Sequence, residues 1–83
     1  GKGIITHAVR YLCQWAVCKR NINRIQIRCA VENHPSNAIP KRLGFTLEGT
    51  ERDGELLVSG EYVDTNVYSI LKKEVESWNR KSN

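Results

Sequence analysis

Eighty-three residues, 40% hydrophobic and 27% charged, suffice for one small domain, whose core is marginal unless something staples it or a partner covers it. These residues hold no recognisable signal peptide and no apolar run long enough to span a membrane, and their three cysteines cannot all pair with one another. The formal charge of +4 is unevenly laid out: residues 1–44 carry eight Lys or Arg against the single acid Glu32, a net +7, and residues 45–83 carry five against eight, a net −3.

The basic half should attract an anion, either a phosphorylated cofactor or a nucleic acid, or else present a solvated face. Cys13, Cys18 and Cys29 stand among apolar neighbours, as expected of buried, reduced thiols in a cytoplasmic protein. Their spacing makes no metal knuckle and neither His7 nor His34 has ligand-like company, so no metal is expected. The chain opens on Gly1 and contains no methionine, which reads as a fragment.

Ile5, Ala8, Leu12, Trp15 and Ala16 recur at three- and four-residue spacing, predicting an amphipathic helix over residues 4–19, roughly 24 Å long. Lys19 and Arg20 complement the dipole at its end, and Asn21-Ile22-Asn23 is the turn that follows. Residues 24–30 alternate, with Ile25, Ile27 and Cys29 on one side and Gln26, Arg28 and Ala30 on the other. Residues 31–44 read as a connector holding a short helix. Asn33 can cap it by accepting from the Ser36 amide, Pro35 suits the first turn, and Gly44 with Phe45 can end it. Pro40 is the misfit, because an interior proline removes a hydrogen bond at a cost of about 3 kcal/mol.

A second strand is expected over residues 45–52, with Phe45, Leu47 and Gly49 on one side. Asp53-Gly54 then reads as a turn, Leu56-Leu57 as a short apolar pair, and Ser59-Gly60 as another break. Residues 62–71, rich in Val, Thr and Tyr, make a third strand, and residues 72–81 a short terminal helix carrying Val75 and Trp78. Helix, strand, short helix, strand, strand is an α/β (α+β) order with one crossover and one hairpin. Three strands are few for so apolar a helix, so the incomplete sheet is expected to draw on another chain, as in a homo-oligomer.

Two stretches carry chemistry. The pair Gly1 and Gly3 at a helix start lets the backbone turn and a ligand's phosphates approach. The first-turn amides of Gly3, Ile4, Ile5 and Thr6 lack intrahelical partners, and the dipole adds positive potential there. So short a motif is more often an ordinary loop. It is not a P-loop, since Gly3 follows Lys2 in place of Ser or Thr, and no third glycine makes it a dinucleotide fingerprint.

Joined to the connector, the motif is more specific. Gly1-Lys2-Gly3-Ile4-Ile5-Thr6, Asn23-Arg24, Asn33-His34-Pro35-Ser36 and Ala38-Ile39-Pro40-Lys41-Arg42-Leu43-Gly44-Phe45 together resemble the GNAT N-acetyltransferases. Glu48-Gly49, Arg52-Asp53-Gly54 and Val63-Asp64 with Val67-Tyr68-Ser69 extend the match. The branch most resembled is the RimJ/RimL-type group, which acetylates protein N-termini, notably of ribosomal proteins. The resemblance covers the chain but only the second half of that family's domain, so it implies that residues 1–83 are the C-terminal half of a GNAT fold.

It further implies acetyl-coenzyme A as co-substrate and a protein or peptide amine as acceptor, attacking the thioester directly. In the family a Gln/Arg-x-x-Gly-x-Gly/Ala signature binds the cofactor's pyrophosphate. Gly3 matches its central glycine and Ile5 occupies the Gly/Ala place while keeping the amide. Gly1, Lys2, Gly3, Ile4, Ile5 and Thr6 are thereby implied as cofactor-binding. Asn33 matches the asparagine that contacts the pantetheine arm. Arg42 stands where a basic side chain can reach the nucleotide phosphates, or else is a solvated charge on a short helix.

Many members carry a catalytic tyrosine where this chain has Pro40, which cannot donate a proton. The RimL-type arrangement uses a serine on this helix, matched by Ser36, whose hydroxyl would protonate or stabilise the departing thiolate. The alternative is a serine that merely fills a first helical turn. The general base and the amide that polarises the thioester belong to earlier strands of the family's domain, so the isolated chain is expected to be inactive.

Two other readings stay open. One is a small basic module that binds RNA or DNA, weakened by the few aromatics among the basic residues. The other is an inactive fragment that binds coenzyme A or completes its sheet through another chain. Trp15 and Trp78 are expected in a core or interface, Tyr62 and Tyr68 to be structural, and His7 and His34 to face solvent. Asp64 would either orient a substrate amine or make a strand-end hydrogen bond.

Overall fold

The computed structural model describes the backbone of residues 2–81 and the side chains of residues 3–78. Its elements are α1 (Lys2–Arg20), β1 (Arg24–Ala30), α2 (His34–Arg42), β2 (Thr46–Leu56), β3 (Tyr62–Leu71) and α3 (Lys72–Lys81). The order agrees with the α/β pattern of the sequence. The strands lie in the order β1-β3-β2. β2 and β3 are antiparallel, and the Val31 amide, just past the end of β1, meets the Asp64 carbonyl near the start of β3 at 2.9 Å. Two compact units divide the chain: residues 1–25 with 70–83, and residues 26–69.

The first unit holds α1 and α3. Asn21, in the left-handed region at φ 53, ends α1, a conformation that Asn tolerates better than most residues. Asn21 and Asn23 then anchor the start of α3: Lys72 donates through Nζ to Asn21 Oδ1 at 2.6 Å and through its amide to the Asn23 carbonyl at 2.8 Å. Glu74 reaches back to accept from the Leu71 amide at 2.8 Å, one arm of a capping box. Within the unit, Cys13, Val17 and Val75 are buried, and the Arg10 guanidinium stands 4.9 Å from the Trp78 ring centre.

The covered face of α1 is not the one its spacing nominated. Ile5, Leu12 and Trp15 are 53%, 58% and 45% exposed, whereas Cys13 and Val17 are 3% and 4% exposed. The helix carries two apolar stripes, one through Ile4, Ile5, Ala8, Leu12 and Trp15, the other through Val9, Cys13, Ala16 and Val17. Periodicity reports both and cannot choose between them. Cys18 is likewise exposed, against the expectation of three buried thiols, while Cys13 and Cys29 are buried and all three are free.

In the second unit β3 is the central strand, and Thr65, Val67, Tyr68 and Ser69 are buried along it. β2 runs past the expected turn at Asp53-Gly54. The register slips between Glu51 and Glu55, so this is a bulge: Asp53 sits at φ 51 and its amide donates to Asp64 Oδ1 at 2.9 Å. The strand-end hydrogen bond expected of Asp64 is thus present. A Cβ on Gly54 would come within 2.1 Å of Thr65 Oγ1, so the bulge needs a residue without a side chain. A second slip between Leu47 and Gly49 breaks the alternation expected of those two residues, and of the expected face Phe45 is buried while Leu47 is exposed. The hairpin turn falls at residues 57–60, closed by Gly60 N–H to the Leu57 carbonyl at 2.9 Å and Leu57 N–H to the Glu61 carbonyl at 2.8 Å.

Candidate functional site

The first turn of α2 is braced by hydrogen bonds from both sides. Asn33 Oδ1 accepts from the Ser36 amide at 3.2 Å, satisfying one of the donors a helix start leaves over. Its own amide donates to the Ala30 carbonyl at 2.9 Å. One turn on, Asn37 is 4% exposed and has its side chain fully engaged. Nδ2 donates to the carbonyls of Ala30 at 2.9 Å and Asn33 at 2.7 Å, while Oδ1 accepts from Asn66 Nδ2 at 2.9 Å and the Tyr68 hydroxyl at 2.7 Å. Asn66 in turn accepts from Thr50 Oγ1 at 2.8 Å, so the network runs from β2 through β3 to α2 and the end of β1.

The Pro40 misfit has a local answer. Proline offers no amide to the residue four places back, which is Ser36, so that carbonyl loses its helical partner. The Cys29 thiol donates to it instead, with Sγ 3.5 Å from the oxygen. Burial pushes the Cys29 thiol above its ordinary value, which keeps it protonated and able to donate. Pro40 itself is almost fully buried. α2 then ends as the sequence requires: Gly44 at φ 80 donates to the Lys41 carbonyl at 3.2 Å and Phe45 to the Pro40 carbonyl at 2.9 Å, the two bonds of a Schellman motif.

These braces leave two polar groups over. Among the described residues nothing bonds the Ser36 hydroxyl, on a half-buried residue, or accepts from Asn33 Nδ2. Both belong to one turn. Arg42 is exposed at the far end of α2, about 9 Å along the axis from Ser36. Beside Asn33 opens a cleft of about 570 Å³, with Val31, Leu57, Tyr62 and Val63 as apolar wall and Glu32, Asn33 and Asp64 as polar lining.

The other expected binding residues belong to the first unit. Lys2 opens α1; Gly3, Ile4 and Ile5 follow as exposed residues of its first turn and Thr6 as a half-buried one. That turn contains no acidic residue, so no carboxylate there opposes an incoming anion. Gly1 lies outside the described residues. Sequence reasoning missed Asn37 and Cys29 as parts of the α2 brace. The available signal for the first was an asparagine four places after a capping asparagine, and for the second a thiol on the strand preceding a proline-bearing helix.

A capped, proline-containing helix between a strand and an antiparallel pair is an arrangement with relatives. The family described as the Acetyltransferase (GNAT) domain matches residues 1–46, more than half of the chain, and the chain belongs to that family. YdaF of Bacillus subtilis (strain 168) is 49% identical over 76 residues, 92% of this chain and 41% of that protein. The ribosomal-protein-serine acetyltransferase of Escherichia coli (strain K12) is 36% identical over 71 residues, 86% of this chain and 39% of the other. Among solved structures, the microcin C7 self-immunity acetyltransferase MccE, in complex with acetyl-CoA and AMP, superposes with a TM-score of 0.77 at 42% identity, over 86% of this chain and 39% of that one. The chain thus spans about two fifths of the length of these relatives. Among the described residues no helix is long and apolar enough to cross a membrane.

Proposed function

We propose that this chain is part of a cytoplasmic N-acetyltransferase that moves an acetyl group from acetyl-CoA to a protein or peptide amine, an N-terminal α-amine in the first instance. The observation that carries the reading is the α2 turn, where a rigid backbone presents two unengaged polar groups, Asn33 Nδ2 and Ser36 Oγ. Asn33 Oδ1 is already occupied by the cap, so Asn33 meets the pantetheine arm as a donor, through Nδ2 to an amide carbonyl. The amides of Gly3, Ile4 and Ile5 take the pyrophosphate, as helix starts do for anions.

In the reaction the neutral amine attacks the thioester carbonyl. The tetrahedral intermediate collapses by breaking the carbon–sulfur bond; the Ser36 hydroxyl gives its proton to the departing thiolate and is reprotonated by the proton that the amine nitrogen sheds as it becomes an amide. The Glu32 and Asp64 carboxylates at the cleft beside Asn33 suit recruitment of a basic acceptor. A ribosomal-protein acceptor is supported by the E. coli relative's name, and the acetyl-CoA donor by the complex formed by MccE.

The test is a calorimetric titration of acetyl-CoA into this chain and into the native protein that carries it. A turnover assay on an N-terminal peptide of a ribosomal protein accompanies it. Saturable binding in either, with acetylated peptide from the native protein, is the expected result. Absence of binding in both would overturn the reading.

A further inference from the structure

Resting on the acetyl-CoA reading, we infer that Asn37 is the positioning residue of the pantetheine subsite, because its buried amide clamps the backbone from which Asn33 and Ser36 reach the cofactor. Asparagine has two donor hydrogens and two acceptor lone pairs on its side chain, and here all four are engaged within the second unit. That leaves one orientation of the amide and no capacity for a ligand. Asn37 therefore acts through its neighbours.

The clamp is specific. The Asn33 carbonyl receives two donors from the same residue, the Asn37 amide at 3.1 Å and Nδ2 at 2.7 Å. The Ala30 carbonyl receives the Asn33 amide and the other Nδ2 hydrogen, each at 2.9 Å. Residues 30 and 33 are thereby pinned at the turn from β1 into α2, and the Asn33–Ser36 cap follows from that turn. On the opposite side, the Tyr68 hydroxyl and Asn66 Nδ2 hold Oδ1 from β3. A site of this kind needs its contacts held to about half an ångström, and a buried, fully satisfied network is suited to that.

No other side chain reproduces the set. Aspartate keeps the shape and both acceptor sites but loses both donors, leaving a carboxylate facing two carbonyl oxygens. Glutamine has the donors but one methylene too many for a residue 4% exposed. Serine is too short to span from the Ala30 carbonyl to the Tyr68 hydroxyl.

The experiment compares two ligands on the native protein: acetyl-CoA, and adenosine 3′,5′-bisphosphate, which lacks the pantetheine arm and the second phosphate of the pyrophosphate. The wild type should bind acetyl-CoA more tightly; the difference measures the pantetheine arm together with that phosphate, and its change in a variant of the α2 turn reports the pantetheine share. Asn37→Asp should weaken acetyl-CoA by about 30-fold, the effect of losing buried hydrogen bonds, and leave the bisphosphate within about twofold. Tyr68→Phe keeps the ring and removes one of the two donors to Oδ1, so the same split should appear at roughly fivefold. Acetyl-CoA affinity unchanged in Tyr68→Phe, or a parallel loss of both ligands in that variant, overturns the proposal even if Asn37→Asp fails to fold. A wild type that binds the bisphosphate and acetyl-CoA equally overturns it as well, while leaving a nucleotide site standing. A wild type that binds neither ligand overturns the acetyl-CoA reading itself.

Discussion

The two helix starts proposed to meet the cofactor are built in opposite ways. α2 begins under full restraint: a capping asparagine, a buried amide with four hydrogen bonds, and a thiol on the carbonyl that Pro40 leaves unpaired. α1 begins with exposed Gly3, Ile4 and Ile5 and no acid in its first turn. The difference matches the two tasks proposed for them. Phosphate oxygens are met by backbone amides, which helix geometry places without help, so the α1 start needs only to remain open. In the proposed site a pantetheine amide and a sulfur are met by two particular side chains, and side chains must be held.

The largest effect that would break this contrast lies at Gly3. A Cβ there meets no atom within 4 Å, and an aspartate in the first turn of a helix favours the helix through its dipole. Gly3→Asp should therefore leave helix content by circular dichroism unchanged while lowering acetyl-CoA affinity by 100-fold or more, roughly the repulsion of one added charge in a poorly screened site. Affinity within threefold of wild type would mean that the α1 start is only a helix start. Next is Ser36→Ala, read on the native protein. Turnover should fall by about 100-fold with KM for acetyl-CoA within about twofold, the pattern of a proton donor that acts in the transition state. A rise in KM at constant kcat would instead make Ser36 a binding group.

Asn33→Ala should lower stability by about 1 kcal/mol through the lost cap, measured by urea denaturation, and also reduce acetyl-CoA affinity. The corresponding change at the other helix, Ile4→Ala, should leave affinity nearly untouched, because the contact proposed there is made by its amide alone. The brace on Ser36 can be isolated by a double-mutant cycle. Cys29→Ala should destabilise the Pro40 protein by about 0.5–1 kcal/mol more than it destabilises the Pro40→Ala protein, where the helix amide has returned to the Ser36 carbonyl. Additive changes would show that the thiol only fills space.

The smallest expected effect is in pH. Burial raises the Cys29 thiol, and the Cys13 thiol in the first unit, above the ordinary value. A raised pKa means that the folded state holds its proton longer than the unfolded chain does. This part of the stability is therefore present below the ordinary thiol range, near pH 8.5, and declines as pH climbs through the folded-state values. Urea midpoints between pH 7 and 10 should fall more steeply for wild type than for Cys29→Ala.

The α2 region was largely legible in the sequence because its rules are local. The Asn33 cap, Pro35 in the first turn, the Gly44 terminator and the Phe45 contact each depend on residues a few places apart. What could not be read there were partners from elsewhere in the chain: Tyr68 and Asn66 for Asn37, and Cys29 for the carbonyl behind Pro40. The α1 boundaries were also near the mark, but its covered face was not, since two apolar stripes compete and the choice depends on what packs against them. Asp53-Gly54 misled for a different reason. The left-handed residue and the glycine that make a hairpin turn also make a bulge, and only the pairing of β2 with β3 separates the two.

Pro40 and Cys29 lie eleven positions apart, yet they answer to one peptide oxygen. In the descent of this family the two positions should not drift independently. A lineage that replaces the proline with any residue bearing an amide restores the helical bond, and its position 29 is released to become alanine or valine. A lineage that keeps the proline is held to a small side chain able to donate a hydrogen at position 29. The pair is a single heritable character, and aligned relatives sorted by what they carry at position 40 should sort themselves at position 29 too.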